Sequence, residues 1–219
     1  MPPAPSPRQA TVASWFDTEP AQALCRLESE RLRSLLAERP VNPWLWVAPT
    51  PGWLERVELP GRGLRLFRDG AAYAGDVHCG LPLPLPDESV NAIVLQHVTA
   101  RDAEQLIGDC ARVLMPGGRL WLSTLNPFSP YRRQWRHHGL VVRSPQRLRH
   151  TLTQAGLSCE DLQYLGPMWR DRSPARRDLA PLRAACLFTA EKRTLALPGP
   201  TPVAVPRWHG TVATRSGME

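Results

Sequence analysis

Between residues 42 and 193, short apolar runs alternate with stretches whose apolar residues recur at helical spacing, and this alternation is the strongest constraint on the fold. The continuous run at 92–95 suits a parallel strand that is covered on both faces. Strands alternating with helices predict an α/β domain, with a mostly parallel central sheet flanked by helices. In open sheets of this kind a ligand lies beyond the carboxyl ends of the strands. The predicted strands are 45–48, 64–67, 92–95, 119–124, 158–165 and 184–190.

Three amphipathic helices are predicted, over residues 20–38, 103–114 and 144–155. In the first, Glu28 and Glu30 precede two arginines, a pattern that predicts the mixed polar face of a surface helix. We therefore expect one domain over residues 14–193 that includes this helix. A flexible N-terminus of residues 1–13 and a disordered, proline-rich tail of residues 194–219 are expected to flank it.

The composition argues against several classes of protein. The 219 residues suffice for one domain with a substantial core, and no run approaches the roughly 18 apolar residues of a membrane span. The five cysteines are odd in number and include no C-x-x-C pair, which argues against a disulfide framework and a zinc site. We expect a cytoplasmic protein without a bound metal. The net charge of +7 permits nucleic-acid binding but is weak support for it, because 26 of the 27 basic residues are arginine, which is typical of a GC-rich genome.

An ordered block of motifs runs from residue 75 to residue 127. It reads GDV at 75–77, LPLPDESVNAIVL at 83–95, RVLMPGGRL at 112–120 and NP at 126–127. This block resembles the class I, type 11 S-adenosylmethionine-dependent methyltransferases, and the resemblance covers roughly residues 15–193. It implies a Rossmann-like fold, S-adenosylmethionine as cofactor, and methyl transfer to a small-molecule or lipid-like acceptor.

The resemblance also implies which residues would hold the cofactor. Asp76 would accept a hydrogen bond from the adenine amine, and Asp69 would hold the ribose diol. The cofactor-binding residues implied in this way are Ala48, Pro49, Thr50, Gly52, Asp69, Asp76, Val77 and Gln96.

The loop after the first strand departs from the family. The family has a G-x-G-x-G loop there, which lets the backbone approach the cofactor closely. Here residues 48–52 read APTPG, and each proline removes an amide donor and restricts the backbone. Asn91 also replaces the aspartate that opens the fourth strand in the family. The sequence therefore leaves a second interpretation open, a non-catalytic protein that keeps the fold and acts as a binding partner.

Candidate substrate residues follow the fourth and fifth strands. His97 is the candidate catalytic base, which matters only if the acceptor must lose a proton. Asn126, Tyr131 and Trp135 are candidate substrate contacts, with Asn126 also read as part of a turn that shapes the pocket.

Residues 131–150 form a basic segment without any acidic residue. Its arginines could bind phosphates, and Tyr131 and Trp135 could stack on bases. RNA methylation or RNA binding is therefore a further, less favoured interpretation, and a solvated arginine-biased face is the simpler one.

Overall fold

The structure is a computed structural model that describes residues 15–38, 43–55, 59–98, 103–138, 140–166 and 181–193. The predicted flexible N-terminus and the predicted disordered tail lie outside the described residues.

Helices and strands alternate along the described chain much as the apolar pattern predicts. The helices are α1 (Glu19–Ala37), α2 (Pro51–Leu54), α3 (Ala103–Val113), α4 (Arg132–His137) and α5 (Pro145–Gln154). The strands are β1 (Trp44–Ala48), β2 (Gly63–Asp69), β3 (Ala72–Gly75), β4 (Val90–Gln96), β5 (Leu114–Leu125), β6 (Leu157–Leu165) and β7 (Ala185–Lys192).

The seven described strands form one sheet in the order β3-β2-β1-β4-β5-β7-β6. The strands β2, β1, β4 and β5 pair in parallel. Because β5 and β6 are both antiparallel to β7, β6 runs in the direction of β5. The expected α/β architecture is therefore confirmed, with the correction that β3 and β7 run against the other strands.

The sequence pattern does not predict β3. This strand forms because the chain makes a tight turn directly after β2. Gly70 adopts a φ of 61°, which is open to glycine and lets the chain reverse directly after Asp69. The next residues then pair antiparallel with β2, with Asp69 opposite Ala72 and Leu66 opposite Gly75. This hairpin stands at one edge of the sheet.

The strand β5 begins at Leu114, five residues before the predicted strand 119–124, and includes Pro116, Gly117 and Gly118. The register with β4 shifts there, because Val90 pairs with Leu114 whereas Ala92 pairs with Arg119. Gly117 has a φ of 72°, which fits an irregularity in the strand.

Both faces of the sheet are covered. On one face the apolar sides of α3 and α5 pack against residues such as Leu45 and Ile93. On the other face α1 packs against Trp46 and Trp121. The buried side of α1 consists of Ala21, Leu24, Cys25, Glu28, Ser29 and Leu32. The expectation that Glu28 belongs to a solvated polar face is therefore wrong.

Within the described ranges, no helix is both long enough and apolar enough to cross a membrane.

Candidate functional site

The carboxyl ends of β1, β4 and β5 meet at one edge of the sheet, and this edge is the candidate site. Val47 pairs with Leu95, so the chain leaves β1 at Pro49 beside the point where it leaves β4 at His97. The N–H of His97 donates to the carbonyl of Ser123 at 2.9 Å. His97 has a φ of 49°, in the left-handed region that non-glycine residues seldom adopt.

A buried carboxylate from α1 lies behind this edge. The Oε2 atom of Glu28 is 3.0 Å from Nε2 of His97 and accepts a 3.0 Å hydrogen bond from Oγ of Ser123. The amide Nε2 of Gln96 donates to the same oxygen at 3.4 Å, and the amide oxygen of Gln96 accepts from Nε1 of Trp46 at 2.7 Å. Glu28 is 0% exposed. Its carboxylate therefore links α1 to β4 and β5 through hydrogen bonds from which water is excluded.

The Glu28 carboxylate influences a neighbouring thiol as well. Burial and, to a smaller extent, the negative charge of Glu28 raise the pKa of Cys186 on β7 to about 12. The cysteine is therefore a neutral, buried thiol that packs in the core. Neither Oε1 of Glu28 nor Nδ1 of His97 has a hydrogen-bond partner among the described residues.

Aromatic side chains cover the edge from outside. The ring of Phe16 lies 5.2 Å from the His97 ring, and the ring of Trp53 lies 5.1 Å from it at an interplanar angle of 89°. Trp53 Nε1 donates to the carbonyl of Phe16 at 3.2 Å, and the two rings are 5.3 Å apart. Trp15 and Trp135 extend this cover, with ring centroids 6.1 Å apart. All of these side chains are buried.

The loop after β1 carries Trp53 into this cover. Thr50 is the N-cap of α2 and Pro51 its first residue, so the chain turns into the short helix immediately after β1. The Thr50 side chain is buried, and its Oγ1 has no hydrogen-bond partner among the described residues. Ala48 is buried as well, whereas Pro49 and Gly52 are half-buried. The residues expected to hold the cofactor at this loop therefore support the aromatic cover.

The structure does not bring Asp76 to this edge. Because β3 is antiparallel to β2, the chain after Gly75 returns to the level of Arg65, which pairs with Trp46 in the middle of β1. There Asp76 accepts hydrogen bonds from the backbone N–H of Arg65 at 2.8 Å and from its guanidinium at 3.0 Å. These bonds hold the pKa of Asp76 below its usual range. Val77 follows on the exposed surface.

Asp69 lies at the other end of the same hairpin. It ends β2, which runs parallel to β1, and its side chain is exposed. Asp69 and Gln96 therefore both lie at the carboxyl ends of strands, but Gln96 is 1% exposed and its amide is used by Trp46 and Glu28.

Two of the three candidate substrate residues are held inside the protein. Asn126 is buried, and its Nδ2 donates to the carbonyls of Pro181 and Arg183 at 2.6 and 2.8 Å. Its Oδ1 accepts from the N–H of Phe128 at 3.1 Å, which makes Asn126 the organiser of a turn, as the sequence also suggested. Trp135 is 1% exposed, so it cannot stack on a base at the surface, and only Tyr131 is half-exposed.

The loop after β1 and the position of Asp76 differ from what the resemblance implies for an S-adenosylmethionine site. A cofactor at this sheet edge needs space beyond β1 and β4 and donors from the loop between them. At this edge the rings of Phe16 and Trp53 lie 5.2 and 5.1 Å from the ring of His97. The prolines at 49 and 51 supply no N–H groups, and Asp76 is engaged elsewhere. No step through the cofactor follows from this geometry.

The described residues also bring no three His, Cys, Asp or Glu side chains together in a group that could hold a metal ion.

Sequence reasoning missed Glu28, Phe16 and Trp53 as parts of this edge. The signal for Glu28 is its spacing, because it lies four residues from both Leu24 and Leu32 and so on the apolar side of the helix. A charged residue within an apolar stripe indicates a buried polar contact. Nothing in the local pattern distinguishes Phe16 or Trp53 from ordinary core aromatics.

Comparisons with known proteins address the fold. No protein-family model matches the chain, and no curated protein matches its sequence. A SAM-dependent methyltransferase structure from Archaeoglobus fulgidus matches with a TM-score of 0.56 and 12% identity, over 82% of this chain and 100% of that protein.

Two further solved structures are similar to this chain in fold. Geranyl diphosphate C-methyltransferase from Streptomyces coelicolor A3(2), solved with Mg²⁺, geranyl diphosphate and S-adenosyl-L-homocysteine, has a TM-score of 0.52 and 18% identity over 76% of this chain and 80% of that one. A Haloferax volcanii protein in complex with the Trm112 methyltransferase activator has a TM-score of 0.52 and 17% identity, over 84% of this chain and 98% of that one. The chain therefore has the class I fold of the SAM-dependent methyltransferases.

Proposed function

We propose that this chain is a non-catalytic binding protein built on the methyltransferase fold. The observation that carries the proposal is the contact of Phe16 and Trp53 with His97 over the buried Glu28 carboxylate. The motifs at 83–95 and 112–118 support a type 11 ancestry within this fold. The chain keeps the sheet and the helices of a methyltransferase but uses the cofactor edge for its own side chains.

The energetics favour a closed edge. Moving Phe16 and Trp53 into water exposes two buried aromatic side chains, at about 1.5–3 kcal/mol each. A total of about 4 kcal/mol weakens any ligand that needs the open state roughly 1,000-fold. A cofactor with micromolar affinity for the open edge would then bind only at millimolar concentration.

A second candidate function is methyl transfer from S-adenosylmethionine. It is favoured by the likeness in fold to methyltransferases solved with S-adenosylmethionine or its demethylated product, with TM-scores of 0.52. Phe16 and Trp53 would then have to leave the edge before the cofactor enters. The acceptor would be a small or lipid-like molecule, such as the geranyl diphosphate of one of these neighbours.

Calorimetric titration with S-adenosylmethionine separates the two candidates. We expect no saturable heat from the wild-type protein up to about 1 mM, and none from Phe16→Ala, because the loop at 48–52 still lacks amide donors. Leu152→Ala, a core truncation on the other face of the sheet, controls for general loosening. One-to-one binding of S-adenosylmethionine to the wild-type protein tighter than about 100 μM would support methyl transfer instead.

A further inference from the structure

A basic surface surrounds α4, beyond the carboxyl end of β5. We define the α4 surface as Phe128, Arg132, Arg133, Arg136 and His137, all of which are exposed. The three arginines form no ion pair with the described residues, and the segment 131–150 contains no acidic residue.

Some other arginines of the chain form ion pairs. Arg65 pairs with Asp76 at 3.0 Å, and Arg112 pairs with Asp87 at 2.6 Å and with Asp109 at 2.7 Å. Arg119 likewise lies 3.5 Å from Glu160. Part of the arginine charge is therefore neutralised by carboxylates, whereas Arg132, Arg133 and Arg136 are exposed and form no ion pair with the described residues.

The α4 surface has a cavity and an exposed aromatic ring next to its charge. A cavity of about 500 Å³ is lined by Pro127, Phe128, Ser129, Pro130, Arg132 and Arg133. Phe128 is 58% exposed, although it is a large apolar side chain. An apolar ring beside two guanidinium groups suits a ligand that combines a flat ring with a negative charge.

The surface is held rigidly from beneath. The side chain of Asn126 bonds to the carbonyls of Pro181 and Arg183 and to the N–H of Phe128. The hydroxyl of Ser129 accepts from the N–H of Tyr131 at 3.3 Å, and Trp135 anchors α4 by packing against Trp15. The turn that presents Phe128 and the arginines is thus preorganised, which reduces the entropy lost on binding.

We propose that the α4 surface binds single-stranded nucleic acid. Arg132 and Arg133 contact phosphates, and Phe128 stacks on an unpaired base that enters the cavity between them. A single strand is favoured over a duplex because only an unstacked base offers its face to Phe128. An acidic peptide satisfies the charges but gives the exposed ring no flat partner. This inference does not depend on whether the cofactor edge binds a ligand.

The test is fluorescence anisotropy with a labelled 12-nucleotide RNA, the DNA strand of the same sequence, and the corresponding RNA duplex. We expect the wild-type protein to bind the single strands more tightly than the duplex, with an affinity that falls as NaCl rises from 50 to 200 mM. Comparison of the RNA strand with the DNA strand shows which of the two nucleic acids the surface prefers. The double variant Arg132→Glu/Arg133→Glu should weaken binding at least 10-fold. Arg132→Gln/Arg133→Gln should make the slope of log affinity against log salt shallower by about 1.4, since each phosphate contact contributes about 0.7.

The matched control is Arg26→Glu/Arg62→Glu, which changes the net charge equally at two exposed arginines outside the α4 surface. We expect it to weaken binding less than threefold. Phe128→Ala should weaken binding several-fold while leaving the salt slope unchanged. Circular dichroism checks that each variant is folded.

Four results would overturn the proposal. The first is equal loss of binding in the two charge-reversal pairs, and the second is a duplex bound as tightly as the single strand. The third is displacement of the RNA by poly-glutamate at equal charge concentration, because that would show a surface selective for charge alone. Absence of binding at 50 mM NaCl would also overturn it.

Discussion

At the scale of single residues, Glu28 is the most informative side chain in the protein. A carboxylate that is 0% exposed is stabilised here by Gln96, His97 and Ser123, which come from two strands and the turn that follows β4. Groups of this kind occur both in active sites and in structural cores. Stability measurements distinguish the two roles.

We expect Glu28→Ala to lower the free energy of unfolding by about 3–5 kcal/mol, because it leaves the buried partners of the carboxylate unpaired. Glu30→Ala, an exposed change on the same helix, should alter it by less than about 0.5 kcal/mol. Urea denaturation followed by circular dichroism measures both. If Glu28 were kept for catalysis, its removal would leave stability unchanged or increase it, because active-site residues are often held at a cost in stability.

The sequence could predict Asn126 as part of a turn but not the burial of Glu28 or Trp135. Asn-Pro is a local signal, and its meaning does not depend on distant contacts. The place of Glu28 depends on Ser123, which is 95 residues away along the chain. Trp135 is buried because Trp15 lies against it, and that contact is equally long-range.

At the scale of elements, one antiparallel strand changes the candidate cofactor site. The apolar runs predicted β1, β4 and β7 to within a few residues, since buried strands carry continuous apolar sequence. They could not predict the direction of β3, because direction is decided by the turn at Gly70 and not by the strand. The reversal turns Asp76 from an expected adenine contact into the partner of Arg65.

The contribution of the Asp76–Arg65 pair to the stability of the fold depends on pH. The hydrogen bonds from Arg65 lower the pKa of Asp76 in the folded protein, so the pair stabilises the fold above the unfolded pKa of about 3.9. That contribution is lost as the pH falls through the folded pKa. We expect Asp76→Asn to be less stable than wild type at pH 7, by under about 1 kcal/mol because both side chains are partly exposed, and the difference to shrink as the pH falls toward 2.

Chemical denaturation between pH 2 and pH 7 measures this difference. Asp69→Asn, at the exposed opposite end of the hairpin, is the matched control and should show a smaller difference at pH 7. A stability gap for Asp76→Asn that stays constant down to pH 2 would contradict an ion pair with Arg65.

At the scale of the whole molecule, α1 and the residues before it determine what the sheet edge can do. The same fold in other proteins accompanies methyl transfer, but a fold alone does not determine activity. Here the sheet presents its carboxyl ends to Phe16, Trp53 and Glu28, and these contacts close the edge from three separate parts of the chain. The α4 surface lies outside this closed edge and keeps its exposed charge.

A crystal structure determined in the presence of 5 mM S-adenosylmethionine tests the closed edge most directly. We expect the rings of Phe16 and Trp53 to remain about 5.2 and 5.1 Å from His97, with Glu28 still bonded to Ser123 and no cofactor density between β1 and β4. Density for S-adenosylmethionine beyond Ala48 and Gln96, with Phe16 displaced, would contradict the account and restore methyl transfer as the function.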